Sequence, residues 1–155
     1  MSRTISAYLL CLTLFLLPGC TEPLRQSCFK NVDGIGGWTE DQTISLSLDL
    51  ADNTQDNILN LSACASEDAQ GEEITVYLTF VSPDGESYLD TASLRIEKTD
   101  ASDFVKNGTE IQILWPYMKI GKLNKEGRWE ILLDREKIDK PVYRKIRGMG
   151  VSVSR

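Results

Sequence analysis

Apolar residues recur at every second position in several segments of this chain. In residues 44–50 (ISLSLDL), isoleucine and leucine alternate with serine and aspartate. Because successive side chains of a β-strand point to opposite faces, a period of two indicates a strand with one buried face and one wet face. The same period recurs, more weakly in the third case, in residues 59–63, 74–80, 87–96, 111–115, 129–133 and 151–153. The chain is therefore predicted to consist largely of β-strands.

Turn-forming residues separate the predicted strands. Pro83-Asp84-Gly85 is typical of a tight turn, because proline fixes φ and glycine accepts a positive φ. Residues 100–108 are polar and predict a loop, and residues 121–127 predict a turn-rich connector. Pro116 predicts the end of a strand, since proline lacks the N–H that a strand donates.

One domain, over residues 28–155, accommodates seven or eight such strands. The last strand is predicted to begin after Gly148 and Gly150. Residues 135–145 are the helical candidate, and Pro141 limits a helix there to one or two turns. We predict an all-β fold: a two-sheet antiparallel β-sandwich, jelly-roll or immunoglobulin-like, with at most one short helix.

The N-terminal residues have the pattern of a secretory signal. Arg3 supplies positive charge, and residues 7–17 form an apolar run. This run is too short to span a bilayer, which needs about 20 residues. Leu17-Pro18-Gly19-Cys20 resembles the lipobox that lipoprotein signal peptidase reads. We therefore predict a lipoprotein signal peptide over residues 1–19.

Lipidation of Cys20 would place the mature protein on a membrane. Each buried CH₂ contributes about 0.8 kcal/mol, so two or three acyl chains hold a protein there firmly. Residues 20–27 then form a polar tether between the lipid and the domain. Thr21-Glu22-Pro23-Leu24 lacks the acidic cluster that resembles a surface-export signal. We expect an envelope location, on the outer membrane and facing the periplasm.

Charge and composition exclude several classes of function. After removal of the signal, 16 basic and 23 acidic residues leave a net charge of −7. This balance argues against nucleic acid, whose binding needs clustered lysine and arginine. The chain has no histidine, which excludes Ser-His-Asp and Cys-His catalysis and histidine-ligated zinc. We expect a non-enzymatic protein with no catalytic residues, no cofactor and no metal site.

Two of the four cysteines remain for structural roles. Cys11 leaves with the signal and Cys20 takes lipid, so Cys28 and Cys64 form an even pair in an oxidising compartment. A disulfide between them would close a loop of about 37 residues and stabilise the fold by roughly 3–4 kcal/mol. The alternative is two separate small apolar side chains.

The three tryptophans divide into two groups. Trp115 and Trp129 follow the alternation of their strands and are predicted to lie in the core. Trp38 lies outside any alternation, after the glycine-rich run 33–37, and is the candidate surface contact for a partner or ligand. That run lacks the Lys-Ser/Thr of a phosphate-binding loop, so it is interpreted as a turn that leads into the first long strand.

Asp90-Thr91-Ala92 resembles the three-residue acceptor for protein O-glycosylation in Bacteroidetes envelopes. Thr91 is therefore a candidate glycosylation site. An exposed strand end explains the same three residues.

Four short motifs follow one another along the mature chain. They are Gly36-Gly37-Trp38 before an alternating strand, Ser82-Pro83-Asp84-Gly85 followed by Asp90-Thr91, Gly127-Arg128-Trp129 at the start of a late strand, and Met149-Gly150-Val151-Ser152-Val153 near the end. Their order, with the length and the lipobox, resembles the gliding-motility-associated lipoprotein H family of Bacteroidetes. The resemblance implies an envelope protein without known enzymatic residues, which works through partners of the motility or protein-secretion apparatus.

Two other functions stay open at this point. The first is a glycan-binding lipoprotein, with Trp38 and carboxylates at the rim of a shallow groove. The second is a carboxylate-dependent hydrolase, which needs two facing acids about 5 to 9.5 Å apart in a cleft.

Overall fold

The computed structural model describes residues 27–32, 36–51 and 56–155. Within these ranges the chain forms nine β-strands, which are β1 (Ser27–Asn31), β2 (Ile44–Leu50), β3 (Ile58–Ser66), β4 (Glu73–Val81), β5 (Ser87–Arg95), β6 (Asp103–Asn107), β7 (Glu110–Lys119), β8 (Gly127–Arg135) and β9 (Ile146–Ser154). The predicted signal peptide, Cys20 and all but the last residue of the predicted tether lie outside the described residues.

The strands form two antiparallel sheets. One has the order β1-β9-β3-β7-β6 and the other the order β2-β8-β4-β5. Apart from the edge strand β6, each strand of one sheet has a strand at the equivalent position in the other sheet. The equivalent pairs are β1 with β2, β9 with β8, β3 with β4, and β7 with β5. This is the strand order of a jelly roll, which consists of two interlocked Greek keys. The predicted two-sheet sandwich is confirmed, and the topology selects the jelly-roll alternative.

The period of two in the sequence produces the core. The apolar residues at every second position of β2 and β4 are buried, while the residues between them are exposed or half-buried. The buried set is Ile44, Leu46, Leu48 and Leu50 from β2, and Ile74, Val76, Leu78 and Phe80 from β4. Burial of each such side chain stabilises the folded state by about 1.5–3 kcal/mol relative to leaving it exposed. Trp115 and Trp129 are buried as predicted, and each indole N–H donates to a backbone carbonyl.

Two strands have no counterpart in the predicted pattern. β6 occupies the predicted loop 100–108, and β1 begins at Ser27, before any alternation is visible. Both are five-residue edge strands whose side chains are mostly exposed on both faces, so neither shows an alternation. β6 pairs with β7 through a turn at Gly108, where φ is +66°.

Two predicted boundaries were wrong. β7 continues through Pro116 to Lys119, because the register against β3 shifts next to Asn60, the residue opposite this proline. β6 has ended opposite Leu114, so one side of β7 is free there and the missing N–H costs little. β9 includes both Gly148 and Gly150 and does not begin after them.

The helical candidate is reduced to one turn. β8 extends to Arg135, and a 3-10 helix covers Pro141–Lys145, with the proline at its start as that residue type prefers. Two further 3-10 turns, Glu67–Ala69 and Ile120–Lys122, connect strands. In the described ranges no helix is long and apolar enough to cross a membrane.

Candidate functional site on the five-stranded sheet

A groove of about 690 Å³ runs over the outer face of the five-stranded sheet. We call it the outer groove. Each of the five strands contributes to its lining: Phe29 and Asn31 from β1, Arg147 from β9, Ser62 and Cys64 from β3, Glu110, Gln112 and Leu114 from β7, and Asp103 and Val105 from β6. On β3 and β7 these side chains alternate with buried residues of the same strand, so the groove lies on the face opposite the core.

The aromatic ring of Phe29 lies over two glycines of β9. Phe29 pairs directly with Gly150 across the two strands. A Cβ atom on Gly150 would stand 2.6 Å from ring atom Cδ2, and one on Gly148 would stand 2.6 Å from Cε1 and Cζ. Opposite edges of the ring therefore rest on successive outward-facing glycines. One ring face packs on the β9 backbone, and the side chain is still 49% exposed.

A β-bulge places Arg147 in the same groove as Phe29. The register between β3 and β9 shifts so that Cys64 faces Gly148 and Ala65 faces Ile146, which leaves Arg147 as the extra residue. Bulges of this kind re-aim a side chain. The Arg147 side chain is exposed and lines the groove.

The Cys64 side chain lies in the groove as a protonated thiol. Its Sγ donates to Glu110 Oε2 across 3.6 Å. Burial and the negative charge of Glu110 raise the pKa of Cys64 to about 11. Since only the thiolate is a nucleophile, this cysteine is unreactive near neutral pH.

Three other polar side chains of the groove are free to bind. Within the described part of the chain, no residue gives Asn31, Gln112 or Arg147 a side-chain hydrogen bond or ion pair. Two amides and a guanidinium therefore face solvent with their donors and acceptors available. The groove can hydrogen-bond an uncharged polar ligand that also contacts the Phe29 ring.

The cysteine pair is not bridged. Cys28 and Cys64 are both free thiols. β9 lies between their strands, and Cys28 packs against the core while Cys64 lies on the outer face. A disulfide requires the two Cα atoms within about 7 Å, so the strand order and the opposite faces prevent it. The structure therefore agrees with the alternative to a disulfide, in which the two cysteines are separate small apolar side chains.

The assignment of Trp38 to the surface was wrong. Its side chain is 1% exposed, and its indole N–H donates to the Gln42 carbonyl at 2.8 Å. The ring meets Tyr143 edge-on at 6.2 Å, and the Trp38 backbone N–H donates to the Tyr143 carbonyl. Trp38 is a core residue of the loop before β2, and it lines no part of the outer groove.

Gly37 explains part of the glycine-rich run. It has a φ of +71°, and a Cβ atom there would stand 2.4 Å from the Arg144 carbonyl oxygen. The run brings the chain against the 3-10 turn Pro141–Lys145 and so buries Trp38. Residues 33–35 of the run lie outside the described residues.

Thr91 is exposed on β5, the edge strand of the other sheet. Its backbone N–H donates to Asp90 Oδ1 at 2.8 Å, and the Tyr117 hydroxyl donates to the same carboxylate. The threonine side chain is accessible, and its glycosylation stays a prediction.

Apart from Cys64, the residues that form the groove are not identified from the sequence. Phe29 lies in a short edge strand, and Arg147 in a bulge that depends on pairing with β3. Gly148 and Gly150 were interpreted as a boundary. The available signal was a pair of glycines at spacing two, since glycine in a strand often marks a close approach to the backbone.

Fold and groove together define a jelly-roll domain with an open polar groove on one sheet face. Comparison of the chain with models of protein families, with curated proteins and with solved structures gives no match. The resemblance to the gliding-motility lipoproteins therefore stays a prediction.

Proposed function

We propose that this protein is a lipid-anchored, non-enzymatic component of the cell envelope that assembles with proteins of a gliding-motility or protein-secretion apparatus. The proposal rests on the lipobox that ends at Cys20, on the order of the four sequence motifs, and on an exposed apolar surface of the domain. The last of these is the structural observation that carries it.

The apolar surface lies on the outer face of the four-stranded sheet. Leu132, Thr79 and Leu89 stand side by side on β8, β4 and β5. Tyr77 is the diagonal neighbour of Leu89, and the two side chains are 43% and 83% exposed. We call Tyr77, Leu89 and Leu132 the Leu89 patch. Tyr77 and Leu89 are exposed and Leu132 is half-buried, and exposed apolar side chains that cluster on one face are a feature of protein interfaces.

Lipidation would strengthen a weak interface at this patch. The seven residues 20–26 reach at most about 25 Å when fully extended, so a lipid on Cys20 would hold the domain near the membrane surface. Confinement raises the effective concentration for partners on that surface without any added contact. The mechanism proposed is tethered assembly.

The test is a crosslinking pull-down from intact cells that carry a tagged copy. The variants are Cys20→Ala, which removes the lipid site, and Leu89→Asp, which places a charge in the patch. Ile138→Asp is the matched control, since Ile138 is a 54% exposed apolar residue away from the patch.

We expect motility or secretion proteins to be captured by the unmodified chain and by Ile138→Asp, and to be lost from Cys20→Ala and Leu89→Asp. Capture that survives both of the latter substitutions would contradict the proposal. So would a failure of the unmodified chain to capture any protein of these systems.

A further inference from the structure

We infer that the outer groove binds a neutral polysaccharide chain, with the Phe29 ring as the surface on which a sugar ring stacks. This ligand class and this site differ from the protein partners of the proposed function. The groove and the Leu89 patch lie on opposite faces of the sandwich. An experiment can therefore contradict the proposed ligand of one surface without contradicting that of the other.

The position of Phe29 is suited to stacking. One face of the ring is occupied by the backbone at Gly148 and Gly150, and this packing holds the ring against the sheet. The half of the side chain that stays exposed faces the groove. The face of an aromatic ring carries negative charge, and it attracts the weakly positive C–H groups on one side of a pyranose.

The polar lining is suited to hydroxyl groups. A sugar hydroxyl both donates and accepts, and the amides of Asn31 and Gln112 can do the same in return. The Arg147 guanidinium offers a planar fork of donors, and Glu110 offers an acceptor. With Asp103, the carboxylates outnumber the cation in the lining, which disfavours an acidic sugar and favours an uncharged one.

The groove is less suited to an extended peptide. Peptides commonly bind a sheet by adding a strand to a free edge. The floor here consists of β9, β3 and β7, and each of β9 and β3 is paired on both sides. Residues 110–114 of β7, which line the groove, are paired with both β3 and β6. The floor therefore offers no free backbone edge, and recognition must come from side chains and the ring face. At about 690 Å³ the groove falls within the usual range of ligand sites, about 300–1,000 Å³, which accommodates a few sugar rings.

The test is an NMR titration of the ¹⁵N-labelled full-length chain in detergent. The probes are four neutral hexasaccharides (cellohexaose, laminarihexaose, mannohexaose and chitohexaose) and one acidic probe, hexagalacturonate. The backbone amides of Gly148, Gly150 and Ser62 report on the groove, and those of β5 report on the opposite face.

Matched variants separate stacking from folding. Phe29→Ala removes the ring, whereas Phe29→Tyr keeps it. Gln112→Ala removes a groove amide that has no side-chain partner among the described residues. Tyr88→Ala removes an aromatic ring of similar exposure, 45% against 49% for Phe29, from the other sheet.

We expect at least one neutral hexasaccharide to produce saturable shifts at the groove amides. Phe29→Ala should weaken its affinity by about tenfold or more, and Gln112→Ala by about fivefold, while Phe29→Tyr and Tyr88→Ala stay within about threefold. Three results would overturn the inference: no shift with any neutral probe, binding of hexagalacturonate alone, or shifts that appear only in β5. Loss of the pull-down partners on Phe29→Ala would also overturn it, since the groove would then be a protein site.

Discussion

At the scale of single residues, the two outward-facing glycines of β9 are explained by a neighbour that is distant in sequence. Glycine in a strand costs backbone entropy and leaves the backbone uncovered. At Gly148 and Gly150 the Phe29 ring covers that backbone, and any larger residue would collide with it. The two glycines therefore form part of the surface on which the Phe29 ring packs.

Gly150→Ala should destabilise the fold by about 1–3 kcal/mol, because the added Cβ stands 2.8 Å from the Cys28 carbonyl oxygen and cannot be relieved by moving Phe29 alone. Chemical denaturation measures the change. Gly36→Ala is the control, since a Cβ there meets no atom of the described residues within 4 Å, and it should change stability by less than about 0.5 kcal/mol. Equal effects of the two substitutions would refute this account.

Cys64 supplies a pH-dependent prediction. Its pKa of about 11 means that few molecules carry a thiolate at pH 9, so alkylation by iodoacetamide should be slow. Glu110→Gln removes a negative charge that disfavours the thiolate, so the pKa falls and alkylation at pH 9 should become about two to ten times faster. Burial, the larger cause of the raised pKa, is unchanged by this substitution.

Peptide mapping by mass spectrometry follows Cys64 separately from the other cysteines. Glu130→Gln, on the opposite sheet, should leave its rate unchanged. An unaltered rate in Glu110→Gln would show that the carboxylate does not control the thiol.

At the scale of elements, the edge strand β5 is protected against pairing with another chain. The Ile96 N–H donates to the Glu72 carbonyl just beyond β4, so even-numbered residues of β5 bond to β4 and odd-numbered ones face the free edge. The outward N–H of Thr91 is bound by its neighbour Asp90. A charged side chain that occupies edge donors is a common protection against edge-to-edge association.

Asp90→Ala should therefore promote self-association through β5. Sedimentation velocity over a range of concentrations should show a larger mass for this variant than for the unmodified chain. Asp100→Ala, which removes an exposed carboxylate outside the strand, is the control. A variant that sediments like the unmodified chain at every concentration would show that Asp90 does not protect the edge.

The protection of the β5 edge by Asp90 is expected to be lost at low pH. Hydrogen bonds from the Tyr117 hydroxyl and the Thr91 N–H lower the pKa of Asp90 below its ordinary value. The carboxylate is therefore present from neutral pH down through the ordinary range of aspartate near 4, and the protection is lost only as pH falls through the lowered pKa. Association of the unmodified chain is expected at that acid pH alone.

At the scale of the whole molecule, the jelly-roll order determines which residues meet. It inserts β9 between β1 and β3, which separates the two cysteines and brings Phe29 to the β9 glycines. The same order sets the outer groove and the Leu89 patch on opposite sides of one core. If the domain is tethered as we propose, one partner could bind each of these two faces at the same time.

The fold is expected to be independent of reductant. Thermal midpoints with and without dithiothreitol should agree within about 1 °C, whereas loss of a native disulfide typically costs about 2–5 kcal/mol. Alkylation of the denatured, non-reduced chain before digestion should label both Cys28 and Cys64. A Cys28–Cys64 crosslinked peptide in a non-reduced digest would contradict the observed strand order.

The sequence by itself determined the seven long strands, their buried faces and the two-sheet class, because strand periodicity is a local property of consecutive residues. It also predicted the core positions of Trp115 and Trp129, which follow that periodicity. It did not predict β1 or β6, since short edge strands exposed on both faces carry no periodic signal.

Only the tertiary structure decided the choice of jelly roll, the burial of Trp38, the separation of the cysteines and the composition of the outer groove. The Trp38 side chain packs against Tyr143, and the Phe29 ring packs on glycines that lie about 120 residues further along the chain. Contacts over such separations depend on which strands become neighbours. Strand order follows from the packing of the whole chain, and no local pattern of residues encodes it.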